Sequence, residues 1–207
     1  MKMEKYNEVF WGEVAPCDHL LQIYESDDLF LRALEGFVVT GFLYGDAVII
    51  IATSSHLETL EKRLKEDFSV GKLKSSGQYI PVDAEEALPE FIIDDKVDEN
   101  LFKIFVNNLF TKAQKDGRKV RVFGELVALL WGQGNRSATI KLEQLWDELC
   151  NSGVMCLFCA YPKSGFRQDI NDSIKEICLH HSKMIEKNIV SPEINTYGEK
   201  LSIQTLR

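Results

Sequence analysis

The run Ala47-Val-Ile-Ile-Ile-Ala52 constrains this chain more than any other segment. It holds no polar residue, and turn residues bound it, Gly45-Asp46 before and Thr53-Ser54-Ser55 after. A strand without a polar face must be covered on both sides, as strands are in a parallel sheet flanked by helices. Further strand patterns at 19–24, 78–82, 119–123 and 153–161 alternate with helix patterns near 29–41, 57–66, 98–116, 126–131, 137–151 and 168–187. In the helix from 98, Leu101, Ile104, Phe105, Asn108 and Leu109 share one side, the spacing of a buried stripe. The polar stretch 67–77 reads as a loop, and 83–88 as a capped helical turn. This alternation predicts an α/β fold with three layers and a mostly parallel central sheet. Ligands of such sheets bind beyond the carboxyl ends of the strands, which gathers 19–28, 53–56, Asp83, 124–125 and 161–165 at one edge.

A length of 207 residues suits a single domain, expected at 17–187 between a lead-in at 1–16, with Trp11 as an anchor, and a polar tail at 188–207. A net charge of -8 disfavours direct contact with nucleic acid or an anionic membrane. There is no spanning apolar run and no signal-peptide core, so a cytoplasmic protein is expected. Cys156-Leu-Phe-Cys159 matches C-x-x-C by letter, but on a strand positions i and i+3 face opposite ways. The five cysteines therefore read as core residues, and no metal or cofactor follows from the sequence. Neither a G-x-S-x-G elbow nor an H-x-x-x-H pair is present, and no enzyme is expected.

Between the first strand and the first helix lies Glu25-Ser26-Asp27-Asp28. A loop that cradles phosphate is Gly-rich and ends in Lys-Ser/Thr, because bare N–H groups and a cation must meet the anion. Here three carboxylates stand where those donors would be, and they repel a triphosphate unless a metal intervenes. Asp27 or Asp28 suits the N-cap of the following helix. Glu25, Asp27 and Asp28 also offer hard oxygen ligands to a divalent cation.

Several pieces, in order, resemble the MEDS family, the sensory domain shared with the dichloromethane-responsive repressor and many bacterial and archaeal signalling proteins. They are His19-x4-Tyr24-Glu-Ser-Asp27, Gly45-Asp46 ahead of the Ile-rich strand ending at Ala52-Thr53, and His56. Val120-Arg-Val-Phe-Gly-Glu125, Leu130-Trp131 and Leu142-Glu-Gln-Leu-Trp146 follow, then Leu157-Phe-Cys-Ala-Tyr-Pro162 and His181-Ser182. The resemblance runs from about 17 to 187. It implies a fold similar to the RecA/KaiC ATPases with the phosphate loop lost, and the sensing of small organic molecules, simple hydrocarbon derivatives. Family members often carry a kinase or DNA-binding segment. None is evident here, so the resemblance implies output through a partner protein, a kinase or a transcription regulator.

The ligand-contact candidates are His19, Tyr24, Glu25, Ser26, Asp27, His56, Arg121, Glu125, Trp131, Glu143 and Tyr161. Each has a structural alternative. His19 is a ligand contact or a histidine bonded to a nearby carboxylate. Tyr24 is an aromatic wall with a hydroxyl, or core. Arg121 is a ligand clamp, or a buried cation paired with Glu143 or Glu125. Trp131 and Trp146 line a pocket or pack in the core. Two other readings of function stand beside the sensor. One is a degenerate nucleotide binder using Mg²⁺ on Asp27 and Asp28 with Arg121, Lys163 or Arg167; the other is an interaction module that forms homo-oligomers.

Overall fold

The Ile-rich run forms β2 (Ala47–Ala52), buried at every position, between β3 (Tyr79–Asp83) and β6 (Val120–Gly124). Ile49, Ile50 and Ile51 are at most 1% exposed, each worth about 1.5–3 kcal/mol of burial. The computed structural model of the chain describes Trp11 and residues 14–166, 175, 177–186 and 189–191. Among these, the main sheet has seven strands in the order β3-β2-β6-β7-β1-β8-β9, with β1 at His19–Tyr24, β7 at Met155–Pro162, β8 at Lys183–Glu186 and β9 at Ile189–Ser191. All neighbours pair in parallel except β8 with β9.

Helices cover both faces. One face packs against α1 (Asp27–Tyr44), α2 (Ser54–Leu64) and α3 (Val70–Ser75). The other packs against α4 (Ala84–Ala87), α5 (Glu99–Ala113), α6 (Leu126–Gly132) and α7 (Arg136–Asn151). The three-layer, mostly parallel architecture is the one expected. Strand alternation holds too: Arg121 and Phe123 face α1, while Val120 and Val122 face the other layer. The two cysteines of Cys156-Leu-Phe-Cys159 likewise point to opposite faces.

Local expectations are corrected at several points. The N-cap of α1 is Ser26, whose hydroxyl accepts from Leu29 N, not Asp27 or Asp28. Residues 70–75 are helical where a loop was expected. The buried stripe of α5 is Phe102, Phe105, Val106, Leu109 and Ala113, leaving Leu101 and Ile104 exposed. A short hairpin, β4 (Ile92–Ile93) with β5 (Lys96–Val97), turns through Asp94 and Asp95, both at positive φ. The expected final helix is helical at the described residues 175, 177 and 178, but 183–186 form a strand and the sheet continues to Ser191, past the limit set at 187. The rest of the lead-in, Arg167 and the tail from 192 lie outside the described residues.

Candidate functional site

The carboxyl edge is built by β2 and β6, which pair directly, and by β1 across the intervening β7, with the loops that follow them on top. Glu125, the first residue after β6, is 6% exposed and its carboxylate is the hub of this edge. Its Oε2 accepts from Thr53 N at 2.9 Å, and its two oxygens lie 2.9 and 3.0 Å from His56 Nδ1. The hydrogen bond that the Glu125 carboxylate accepts raises the His56 pKa, against burial, which lowers it. With Nδ1 committed to Glu125, the other nitrogen, Nε2, meets no partner among the described residues. The imidazole packs edge-on against Phe30 at 5.0 Å, and Phe30 stacks on Tyr24 at 4.8 Å. Burial, with the Glu125 and Asp27 charges nearby, pushes the Tyr24 phenol up, so Tyr24 is a neutral hydroxyl at ordinary pH. This edge thus presents an aromatic row with two polar tips.

The adjoining loop is paired internally. Ser26 fills the α1 N-terminus with its own hydroxyl, Glu25 pairs with Lys163 at 2.6 Å, and Asp28 pairs with Arg32 and Arg63 at 2.9 Å each. Asp27 contributes negative potential felt by both Tyr24 and His56.

The other expected residues do not join the His56–Glu125 group. Arg121, near the amino end of β6, is buried on the α1 face and donates from Nε to Asp46 Oδ2 at 2.7 Å and from Nη1 to the Trp11 carbonyl at 3.1 Å. Its partner is neither Glu125 nor Glu143. Trp131 is core: its indole N–H donates to Gly165 O at 3.1 Å, its ring packs on Phe166, and the Arg136 guanidinium lies 5.2 Å above it. Trp146 is 1% exposed and packs edge-on against Phe102 at 4.9 Å, so it too is core. A cavity of about 640 Å³ opens at the amino end of the sheet, lined by Tyr44, Asp46, Lys119, Arg121, Val154 and Cys156 among others.

His19 does not reach the carboxyl edge either. It opens β1, and strand parity turns its ring under α7. There Nε2 lies 3.5 Å from Glu143 Oε2 and 3.5 Å from Cys159 Sγ, and the ring stands 3.9 Å from that of His181, centroid to centroid. Tyr161 donates its hydroxyl to Glu143 Oε1. Glu143 is 0% exposed and Cys159 likewise. Burial pushes the Glu143 carboxyl, the Cys159 thiol and the Tyr161 phenol up and the His181 ring down, each toward its neutral form. Cys159 and His181 were not among the expected site residues. One signal was available: Cys159 and Tyr161 are two apart on a strand and so share a face.

Similarity to known proteins fits this architecture. A KaiC-like protein from the hyperthermophilic archaeon Pyrococcus horikoshii OT3 superposes with a TM-score of 0.57 at 12% identity, over 81% of this chain and 71% of that one. The flagellar accessory protein FlaH from Methanocaldococcus jannaschii gives 0.54 at 11% identity, over 88% and 74%. These likenesses establish a RecA/KaiC-like fold. No curated protein sequence matches the chain. The family pattern described as MEthanogen/methylotroph, DcmR Sensory domain matches residues 18–182, and the chain belongs to this MEDS family.

Proposed function

We propose that the chain is a non-catalytic sensory domain that binds a small, uncharged organic molecule, of the hydrocarbon-derivative class, at the carboxyl edge of the sheet and signals through a partner protein. The observation that carries this reading is the row Tyr24–Phe30–His56, held in place by Glu125. The rings, with Phe30 1% exposed, form the apolar floor of the edge, and the Tyr24 hydroxyl with His56 Nε2 supplies two directional contacts, groups of the kind that orient a small molecule. At the start of α1 the Ser26 hydroxyl caps Leu29 N and Asp27 adds negative potential, which disfavours an anionic ligand there. The nucleotide reading gains nothing from the cations it invoked among the described residues, since Lys163 is paired with Glu25 and Arg121 with Asp46.

The test is calorimetry and native mass spectrometry with short-chain alcohols, ketones and halogenated alkanes, set beside ATP with Mg²⁺. One organic class is expected to bind, with Tyr24→Phe and His56→Ala each weakening it about tenfold, the worth of one hydrogen bond. A thermal shift from Mg·ATP with none from any organic compound overturns the reading. Binding that survives both substitutions but is lost on Val154→Trp would place the ligand in the amino-end cavity instead.

A further inference from the structure

We infer that His19, Glu143, Cys159 and His181 form a closed binding site for one zinc ion beneath α7. One potential ligand atom from each lies within 4.8 Å of the others, and all four residues are buried. The closest pairs are His19 Nε2–Glu143 Oε2 at 3.5 Å, His19 Nε2–Cys159 Sγ at 3.5 Å and His181 Nε2–Glu143 Oε2 at 3.7 Å. Zinc bonds of about 2.0–2.3 Å to nitrogen, oxygen and sulfur give a tetrahedron with edges of about 3.3–3.8 Å. Those three pairs already stand at that spacing, and the wider pairs close with movements of no more than about 1 Å.

Each ligand is also aimed from behind. His181 Nδ1 lies 2.8 Å from the Ile177 carbonyl and must donate to it, which leaves Nε2 with its lone pair facing the centre. Tyr161 holds Glu143 Oε1, which leaves Oε2 free to turn inward. His19 Nδ1 faces Asp147 Oδ1 at 3.9 Å, the carboxylate–histidine arrangement found behind metal ligands. Cys159 is fixed by β7 between β1 and β6.

The polar accounting points the same way. Glu143 Oε2, His181 Nε2 and His19 Nδ1 are buried without a hydrogen-bond partner. Each such atom costs about 1–3 kcal/mol, and three in one spot is unusual for an ordinary core. A divalent cation engages the first two and strengthens the third's pull on Asp147. Charge also balances. One thiolate and one carboxylate neutralise Zn²⁺ while both imidazoles stay neutral, so the dry interior holds no net charge. The thiolate and imidazoles disfavour Mg²⁺ and Ca²⁺, which take oxygen ligands. With four protein ligands and no water-facing side, the site is of the structural type. It ties β1, α7 and β7 to the segment entering β8, where Ser182 N already donates to His19 O at 2.8 Å.

The test is metal analysis of the full chain purified without chelator, followed by stripping and titration with Co²⁺. About one zinc per chain is expected, and Co²⁺ should give tetrahedral visible bands with a thiolate charge-transfer band in the near ultraviolet. Cys159→Ser should remove the charge-transfer band. Cys156→Ser, on the opposite face, should keep it. Tyr161→Phe, which alters only the aim of Glu143, should weaken the metal about tenfold. A folded, stripped wild-type chain that takes up neither Zn²⁺ nor Co²⁺ overturns the inference, and needs no variant. A charge-transfer band that persists in Cys159→Ser overturns it equally. The site lies apart from Tyr24 and His56, so organic-ligand binding can survive or fail independently of this result.

Discussion

On the α1 face of the sheet, the buried guanidinium of Arg121 meets Asp46 at 2.7 Å, the Trp11 carbonyl at 3.1 Å and the Phe37 ring at 5.6 Å. On the α7 face, an equally buried set of two histidines, a glutamate and a cysteine leaves three polar atoms without hydrogen-bond partners. Both groups are ionisable and buried, but Arg121 and Asp46 are paired within the protein, whereas the cluster under α7 keeps three unpaired atoms in one spot. The contrast shows how to read buried polarity. A satisfied pair is architecture, and its removal exposes an uncompensated charge. An unsatisfied cluster with converging lone pairs has the geometry of a ligand set for a cation.

The largest effect expected comes from breaking the complete side. Arg121→Met leaves Asp46 buried without its cation, and urea unfolding should register a loss of about 3–5 kcal/mol. The double change Arg121→Met with Asp46→Leu removes both charges and should recover most of that. If the single change costs little, the Arg121–Asp46 pair is not the well-satisfied group described. Gly41→Ala probes the same pair by volume. A Cβ there would stand 2.6 Å from Val48 Cγ2 and 3.0 Å from Arg121 Cδ, so overpacking of about 1–3 kcal/mol should outweigh the helix-propensity gain of about 1 kcal/mol.

On the α7 face the metal-free protein should respond more weakly. Tyr161→Phe leaves Glu143 Oε1 as one more unpaired atom in a cluster that is already incomplete, and about 1–3 kcal/mol is expected by the same unfolding measurement. A loss as large as that of Arg121→Met would show the cluster to be a tightly coupled network without metal, and would erase the contrast between the faces.

Much of this was legible in the residues. The uninterrupted Ile49–Ile51 run demanded cover on both faces, and strand parity correctly separated Arg121 from Val120 and Cys156 from Cys159. Other features were not readable locally. In α5 the apolar residues Leu101, Phe102, Ile104, Phe105 and Val106 fit two overlapping stripes, and contacts from Phe91 and Trp146 to Phe102 decide between them. The helix at 70–75 is too short for periodicity to register. Arg121 needed a carboxylate, for which the sequence offered Glu143 and Glu125, and only the sheet places Asp46 beside it. His19 was assigned to the ligand edge because it opens a strand pattern, whereas that position puts it at the amino end. Its partners come from α7, β7 and the approach to β8, a convergence that exists only once the strand order is known.

The smallest effect belongs to the carboxyl edge, which resembles the α1 face in being satisfied but is partly wet. Glu125 raises the His56 pKa above the unfolded value of about 6.5. A group whose folded pKa is raised contributes its full stability below the unfolded pKa and loses it as pH rises through the folded one. Stability from this pair is therefore present at mildly acid pH and fades above neutrality. Its size should stay under about 1 kcal/mol because the ion pair is partly solvated. Following the His56 ring proton by NMR against pH should give a midpoint above that of an unfolded peptide. Glu125→Gln should bring the midpoint down and flatten the dependence of stability on pH across the same window. A midpoint in the folded protein at or below the peptide value would mean that burial outweighs Glu125. The carboxyl edge would then hold a neutral imidazole whose free nitrogen accepts, rather than donates, a hydrogen bond from its ligand.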